Sequence, residues 1–387
     1  MSKRKSSERV RRARHVLKDN KGKCTLDQYI EDTGIVFGTW DTQRSTIDVW
    51  MRLVRHASKL AEVVRRKQSD LIVEELGGVF IWMLSFIRKL RDPANTEDRV
   101  FYLPEGRRMT DILWEKYPAT CPACFDRMVK SKFPELIDTT SDELTIENIW
   151  HRVEEWPEDE DFMKDWMFKM PCNCVSDPIV EERNENADPA IRLRKDQTRM
   201  RYARALRSNL ERKNALIETM DDLEDMFRAI YGPKLRNAET VESIAFHLLE
   251  EIGEISKALM ELRTFNYQAD QISRDAPLQR DRRIKELRSL RAENLEEEIA
   301  DVFSWMFSLT LKMQENFSIY GKYVQKTTGV KLPVTERITL PDIVFSYWGG
   351  PSGLYCRKCK RAECEGDKEC SWLFIKSISK EGKIRLC

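Results

Sequence analysis

Two stretches of the chain carry apolar residues at alternating steps of four and three. Ile72, Leu76, Val79, Met83, Phe86 and Leu90 form one series, and Leu295, Ile299, Val302, Met306, Leu309 and Met313 form the other. That period belongs to an α-helix with one buried stripe and does not suit a strand, whose faces alternate every second residue. The two stretches also align at a shift of 223. Glu74-Glu75-Leu-Gly-Gly78-Val-Phe-Ile-Trp82-Met-Leu-Ser85 falls on Glu297-Glu298-Ile-Ala-Asp301-Val-Phe-Ser-Trp305-Met-Phe-Ser308, and over residues 71–90 eight positions are identical. A helix with such a stripe must bury it against other helices. A chain that carries it twice is expected to build a helical bundle twice.

The repeat extends beyond these stretches. Residues 45–66 and 70–91 are one predicted helix pair, and 238–263 and 292–315 are the other. Thr25-Leu-Asp27 resembles Thr219-Met-Asp221, and each precedes an aromatic–glycine pair, Phe37-Gly38 or Tyr231-Gly232. His56 and Lys59 then fall near Glu251 and Glu254. Each copy has a tail: Asp111-Ile-Leu-Trp-Glu-Lys-Tyr before Cys121-x-x-Cys124, and Asp342-Ile-Val-Phe-Ser-Tyr before Cys356-x-x-Cys359. Between these landmarks lie an acidic stretch near 154–161 and charged helical stretches over 180–230. Gly232-Pro233 is expected to end the latter run, and 264–291 reads as a polar connector longer than a usual helix–helix loop.

The expected architecture is all-α. A basic leader (1–22) precedes a degenerate first module (23–117) and a cysteine-containing insertion (118–180). Charged helices lead into a working second module (181–328), and a cysteine-rich segment (329–387) closes the chain. Arg9, Arg11, Arg12 and Arg14 of the leader fit a solvated tail or a nucleic-acid contact, and the tail is the commoner fate of such a run.

The net charge of +1, with 34% charged residues, does not mark a nucleic-acid binder. Gly and Pro are sparse, which suits a helical protein. No apolar run reaches membrane-spanning length, and Met1-Ser-Lys-Arg-Lys lacks the apolar region of a secretory signal. The cytoplasm is therefore the expected compartment and no membrane partner is expected. In that compartment ten cysteines suit metal sites or thiols better than disulfides.

The copies differ where chemistry would sit. Glu251-Ile-Gly-Glu254 and Glu298-Ile-Ala-Asp301 each put two carboxylates one helical turn apart. Glu251 interrupts the seam Ile244, Leu248, Ile255, Ala258, Leu262, and a carboxylate on a buried stripe is costly unless paired or metal-bound. Glu298 and Asp301 lie on a row beside their own seam. Packing the seams together would bring the acids together, and Mg²⁺ is the natural counter-ion for an all-oxygen set. The first copy has Gly78 in place of Asp301 and lacks the paired acids of the first helix.

These motifs, within Leu248-Leu-Glu-Glu-Ile-Gly-Glu254-Ile and Glu296-Glu-Glu-Ile-Ala-Asp301-Val-Phe, resemble the MazG-like all-α nucleoside triphosphate pyrophosphohydrolase superfamily. The resemblance covers residues 215–325 well and 25–92 in degraded form. It implies Glu251, Glu254, Glu298 and Asp301 as Mg²⁺ (or Mn²⁺) ligands and catalytic residues. It also implies hydrolysis of a nucleoside triphosphate to the monophosphate and pyrophosphate by a metal-activated water. Glu250 and Glu297 adjoin the motifs as candidates for accepting the water's proton. Lys257, Trp305 and Lys312 are candidates for substrate contacts, although Trp82 and Lys89 repeat the last two in the copy without the acids, which fits a structural role. The family builds bundles from two or more subunits, so the two copies are expected to form an intramolecular pseudo-dimer or a homo-oligomer.

Cys121, Cys124, Cys172 and Cys174 could complete one tetrahedral Zn²⁺ site, and Cys356, Cys359, Cys364 and Cys370 another, both structural because all four ligands are protein. Neighbouring thiols without metal are the alternative. Zinc sites also occur in nucleic-acid binders, so an inactive zinc-containing binding or regulatory module is the alternative function. The intact acid quartet argues against it.

Overall fold

The computed structural model describes residues 21–41, 44–92, 107–118, 121, 122, 124, 217–264, 280–328, 337–350 and 353–354. The leader before residue 21, the acidic stretch near 154–161, the charged residues up to 216, and Cys172, Cys174, Cys356, Cys359, Cys364 and Cys370 lie outside them. The described residues are predominantly helical, and none of their helices is long and apolar enough to cross a membrane. The chain divides into two compact units: Met1–Glu105 with Asn316–Cys387, and Gly106–Glu315.

In the first unit, α1 (Leu26–Asp41), α2 (Thr46–Arg65) and α3 (Ser69–Leu90) follow one another closely. Ser45 caps α2 reciprocally with Asp48, which satisfies two end donors that burial would otherwise leave unpaired. A short turn through Lys67, at φ 56°, reverses the chain into α3. That left-handed backbone disfavours a side chain with a Cβ, so the reversal carries local strain. The apolar seam of α3 is only part of what it buries: Phe80, Ile81, Leu84 and Ile87, off the seam, are also buried. A helix apolar all round belongs at the centre. Here α3 packs against α1, α2, α8 (Phe317–Thr328) and α9 (Leu340–Trp348). At Gly77 a Cβ would lie 3.5 Å from the Ile343 carbonyl oxygen of α9, an ordinary contact, so the two helices pack closely there without requiring glycine. A two-residue antiparallel ribbon, Gly349–Gly350 with Gly353–Leu354, follows α9.

The second unit contains α4 (Met109–Lys116), α5 (Met220–Ala238), α6 (Val241–Arg263) and α7 (Arg280–Gln314). Helix α7 packs along α6 and also contacts α5 and α4. Phe227 of α5 stacks on Phe307 of α7 at 5.0 Å, and Tyr117, just past α4, meets Phe227 edge-on at 5.3 Å. Arg107 pairs with Glu115 and with the buried Glu296, tying the start of α4 to α7.

Two expectations are corrected. Helix α5 does not stop at Gly232-Pro233 but continues to Ala238. Proline removes one backbone donor, yet Leu235 beyond it is buried and its carbonyl accepts from Lys312 Nζ at 2.7 Å. Burial thus outweighs the local breaker. The second acidic helix begins at Arg280 rather than 292, taking up part of the connector. Residues 280–291 are rich in Arg, Leu, Lys and Glu, good helix formers that carry no seam.

The tail helices are placed with the other copy. Helix α4 follows α3 in the chain but belongs to the unit of α7, whereas α9 follows α7 and packs on α3. Each bundle is therefore completed by a segment from the other half of the sequence.

Candidate metal centre

Helix α6 starts at Thr240, whose hydroxyl accepts from the Ser243 amide. From that start Ile244, Leu248, Ile252, Ile255 and Leu259 face inward and are buried. Glu251 shares this side and is half-buried. Across from it, Ile299 and Val302 seat α7 in the core, which turns Glu298 and Asp301 toward α6. One carboxylate oxygen from each of Glu251, Glu298 and Asp301 lies within 4.8 Å of the other two. Glu254 is the exception among the four expected acids: it lies exposed beside Glu298, outside the close trio.

The electrostatics reflect this crowding. Burial, then the Asp301 charge, pushes Glu251 up to about 8, and the same two causes push Glu298 up to about 9. Burial also raises Asp301, while Lys116 pulls it back down. Three carboxylates with such a preference for protons constitute a site short of positive charge.

Lys116 and Tyr117, from the exchanged tail, supply part of it. Lys116 Nζ lies 3.3 Å from Asp301 Oδ2 and 3.6 Å from Glu297, and the Tyr117 hydroxyl donates to Asp301 Oδ1 at 2.5 Å. Burial, then the Asp301 charge, holds the Tyr117 phenol well above its ordinary value, so it remains a donor. Trp305 Nε1 donates to Glu251 at 3.0 Å, and His247 stacks on the indole at 4.6 Å. Trp305 thus orients an acid. Lys312 binds the Leu235 carbonyl and pairs with Glu315 at 2.7 Å. Lys257 is exposed on α6. Cys121 is buried and Cys124 half-buried just beyond α4.

The donor set fits a hard divalent cation. Two oxygens bound to one Mg²⁺ at about 2.1 Å lie at most about 4.2 Å apart. Only one pair of three can stand opposite, and neighbouring oxygens on the octahedron lie about 3.0 Å apart, so the trio has to draw together by up to about 1.8 Å, a shift on the scale of a rotamer change.

In the first unit the same frame holds different groups. With the α2 and α6 caps aligned, His56 takes the place of Glu251 and Lys59 that of Glu254. His56 Nδ1 meets Glu75 at 2.7 Å, and a Cβ on Gly78 would lie 2.5 Å from that nitrogen. An imidazole thus occupies the space in which an acid corresponding to Asp301 would stand.

Lys116 and Tyr117 were not singled out from the sequence. No sequence signal pointed to them, because the Lys-Tyr tail follows the copy that lacks the acids. No family model, characterised protein or solved structure matches the chain.

Proposed function

We propose that the second unit is a Mg²⁺-dependent nucleoside triphosphate pyrophosphohydrolase, releasing pyrophosphate and a monophosphate. The observation that carries this reading is the convergence of Glu251, Glu298 and Asp301 within 4.8 Å on two packed helices. The resemblance of their motifs to the MazG-like superfamily supports it, as does the recurrence of one helical frame in both units, which we take as two versions of one module. When bound, Mg²⁺ would supply Lewis-acid chemistry, offsetting phosphate charge and making a water more acidic.

The chain's own groups would do the rest. Glu251, Glu298 and Asp301 hold the cation, with Trp305 orienting Glu251 and Tyr117 orienting Asp301. Lys116 gives the polyphosphate a positive neighbour where excess negative charge gathers. Glu254, beside Glu298 but open to solvent, would take the proton from the attacking water. Zinc at the cysteine sets and a cytoplasmic location complete the proposal.

The test is pyrophosphate release by the full chain from a panel of ribo- and deoxyribonucleoside triphosphates with Mg²⁺ or Mn²⁺. Activity should depend on metal and be lost in Asp301→Asn and Glu298→Gln. Activity that survives either substitution sinks the site assignment. Inactivity on every nucleotide together with salt-sensitive binding of RNA or DNA supports the binding module instead.

A further inference from the structure

Lys116 brings a positive charge to the oxygens that a metal ion would need. It is the last residue of α4, its Nζ lies 3.3 Å from Asp301 Oδ2, and its side chain is only 16% exposed. The Tyr117 hydroxyl donates to the other oxygen of the same carboxylate. Burial raises Glu251, Glu298 and Asp301, and the Lys116 charge draws each of them back. The ammonium thus acts on the whole trio from its place beside Asp301.

The exchanged tails put this charge with the acids. Aligned on Asp111 and Asp342, α4 and α9 carry Lys116 and Tyr347 at the same position. Helix α9 packs on α3, in the unit where His56 already engages Glu75, and the Tyr347 hydroxyl donates to the Asp70 carbonyl at 3.4 Å. The bundle with three converging carboxylates receives the lysine, and the other bundle receives a neutral phenol.

An ammonium and a divalent cation repel each other. A Mg²⁺ bound to Oδ2 at about 2.1 Å would lie no more than about 5.4 Å from Nζ, even with the two on opposite sides of that oxygen. With the full screening of water, that repulsion still weakens binding about tenfold. The lysine has somewhere to go. Glu297 lies 3.6 Å from Nζ, next to Glu298 but outside the trio, and a four-carbon stem lets the ammonium swing. A phosphate oxygen brought by a nucleotide would be a further charged acceptor for it.

We infer that Lys116 is a tethered counter-ion that competes with the divalent metal, so that metal and nucleotide load together: the nucleotide's phosphates draw the ammonium off Asp301 and leave that oxygen to the metal. The inference rests on the reading of the trio as a metal site and adds an order of loading to it. The chain without nucleotide binds metal weakly, and each ligand raises the affinity for the other.

The test is titration of the full chain with Mn²⁺, the free ion being read by electron paramagnetic resonance. The Mn²⁺-saturated chain is then titrated with a nucleoside triphosphate carrying an α,β-imido bridge. Only the Mn²⁺ binding that Asp301→Asn abolishes is counted. Lys116→Met should bind Mn²⁺ about tenfold more tightly than wild type and the nucleotide at least about tenfold more weakly, having lost a charge-assisted contact. Opposite shifts are the signature, because a damaged fold weakens both. Lys116→Gln repeats the measurement with a polar side chain, and Lys116→Arg, which keeps the charge, should stay close to wild type for Mn²⁺. If wild type binds Mn²⁺ and neither neutral variant binds it more tightly, the proposal is overturned while the metal reading stands. Nucleotide affinity unchanged in both neutral variants, or loss of both affinities in both, overturns it as well. Absence of Mn²⁺ binding in wild type and in both neutral variants removes the metal reading itself, and the inference with it.

Discussion

Gly78→Ala isolates the packing that distinguishes the two units. An added Cβ would lie 2.5 Å from His56 Nδ1, 3.0 Å from Cε1 and 3.1 Å from Cγ, so the imidazole must move. Moving it sacrifices the 2.7 Å bond to Glu75, whose side chain is 14% exposed. A bond to a charged group contributes about 1.5–3 kcal/mol. Against this, alanine in a helix interior is better than glycine by roughly 1 kcal/mol. The packing loss wins, and the net effect is a destabilisation of about 0.5–2 kcal/mol. The sign should reverse once the obstacle is gone. In a His56→Ala background Gly78→Ala should stabilise by up to about 1 kcal/mol, a coupling of roughly 1.5–3 kcal/mol between the positions. Hydrogen exchange at the α3 amides reads the opening free energy of this unit without assuming that the whole chain unfolds at once. Slower exchange in Gly78→Ala with His56 intact would refute the reasoning.

Two further outcomes follow from buried carboxyls. Without metal, Glu298 is pushed up to about 9, so the folded state holds its proton more tightly than the unfolded chain does. Its contribution to stability therefore falls as pH rises from about 4.5 to about 9. Glu298→Gln should reduce that decline in thermal unfolding followed in EDTA at pH 6 and pH 9; an equal decline in both proteins would contradict the assignment. In the first unit, burial and then the Glu31 charge push Asp32 up to about 7. Its contribution is present below pH 4 and is lost as pH climbs to about 7, with a ceiling of roughly 4 kcal/mol. Asp32→Asn should match wild type near pH 4 in a urea titration and exceed it at pH 8, and equal stability at both pH values would refute the shift.

Helix-period seams and the repeated frame were legible in the sequence because local chemistry sets them. The helices predicted over 45–66, 70–91 and 238–263 correspond to α2, α3 and α6 within a few residues at each end. The acids were legible for the same reason: carboxylates three apart share a face, and Glu251 breaks an apolar stripe. The limits of α5 and α7 were less legible. Burial of Leu235 carried one helix through a proline, and a charged helix end leaves no periodic trace.

Sequence by itself determined that this chain is predominantly helical, and that of its two similar apolar seams only the second lies beside an Asp301-type acidic pair. Tertiary structure decided that three acids meet while Glu254 stands at the rim, because the distances depend on how α6 and α7 pack. It also decided which tail completes which bundle. Lys116 and Tyr117 precede Asp301 by 185 and 184 residues in the chain, yet they supply its cation and its hydrogen bond. Such a pairing has no local signature, since apolar contacts that seat a helix do not record which half of the chain it came from.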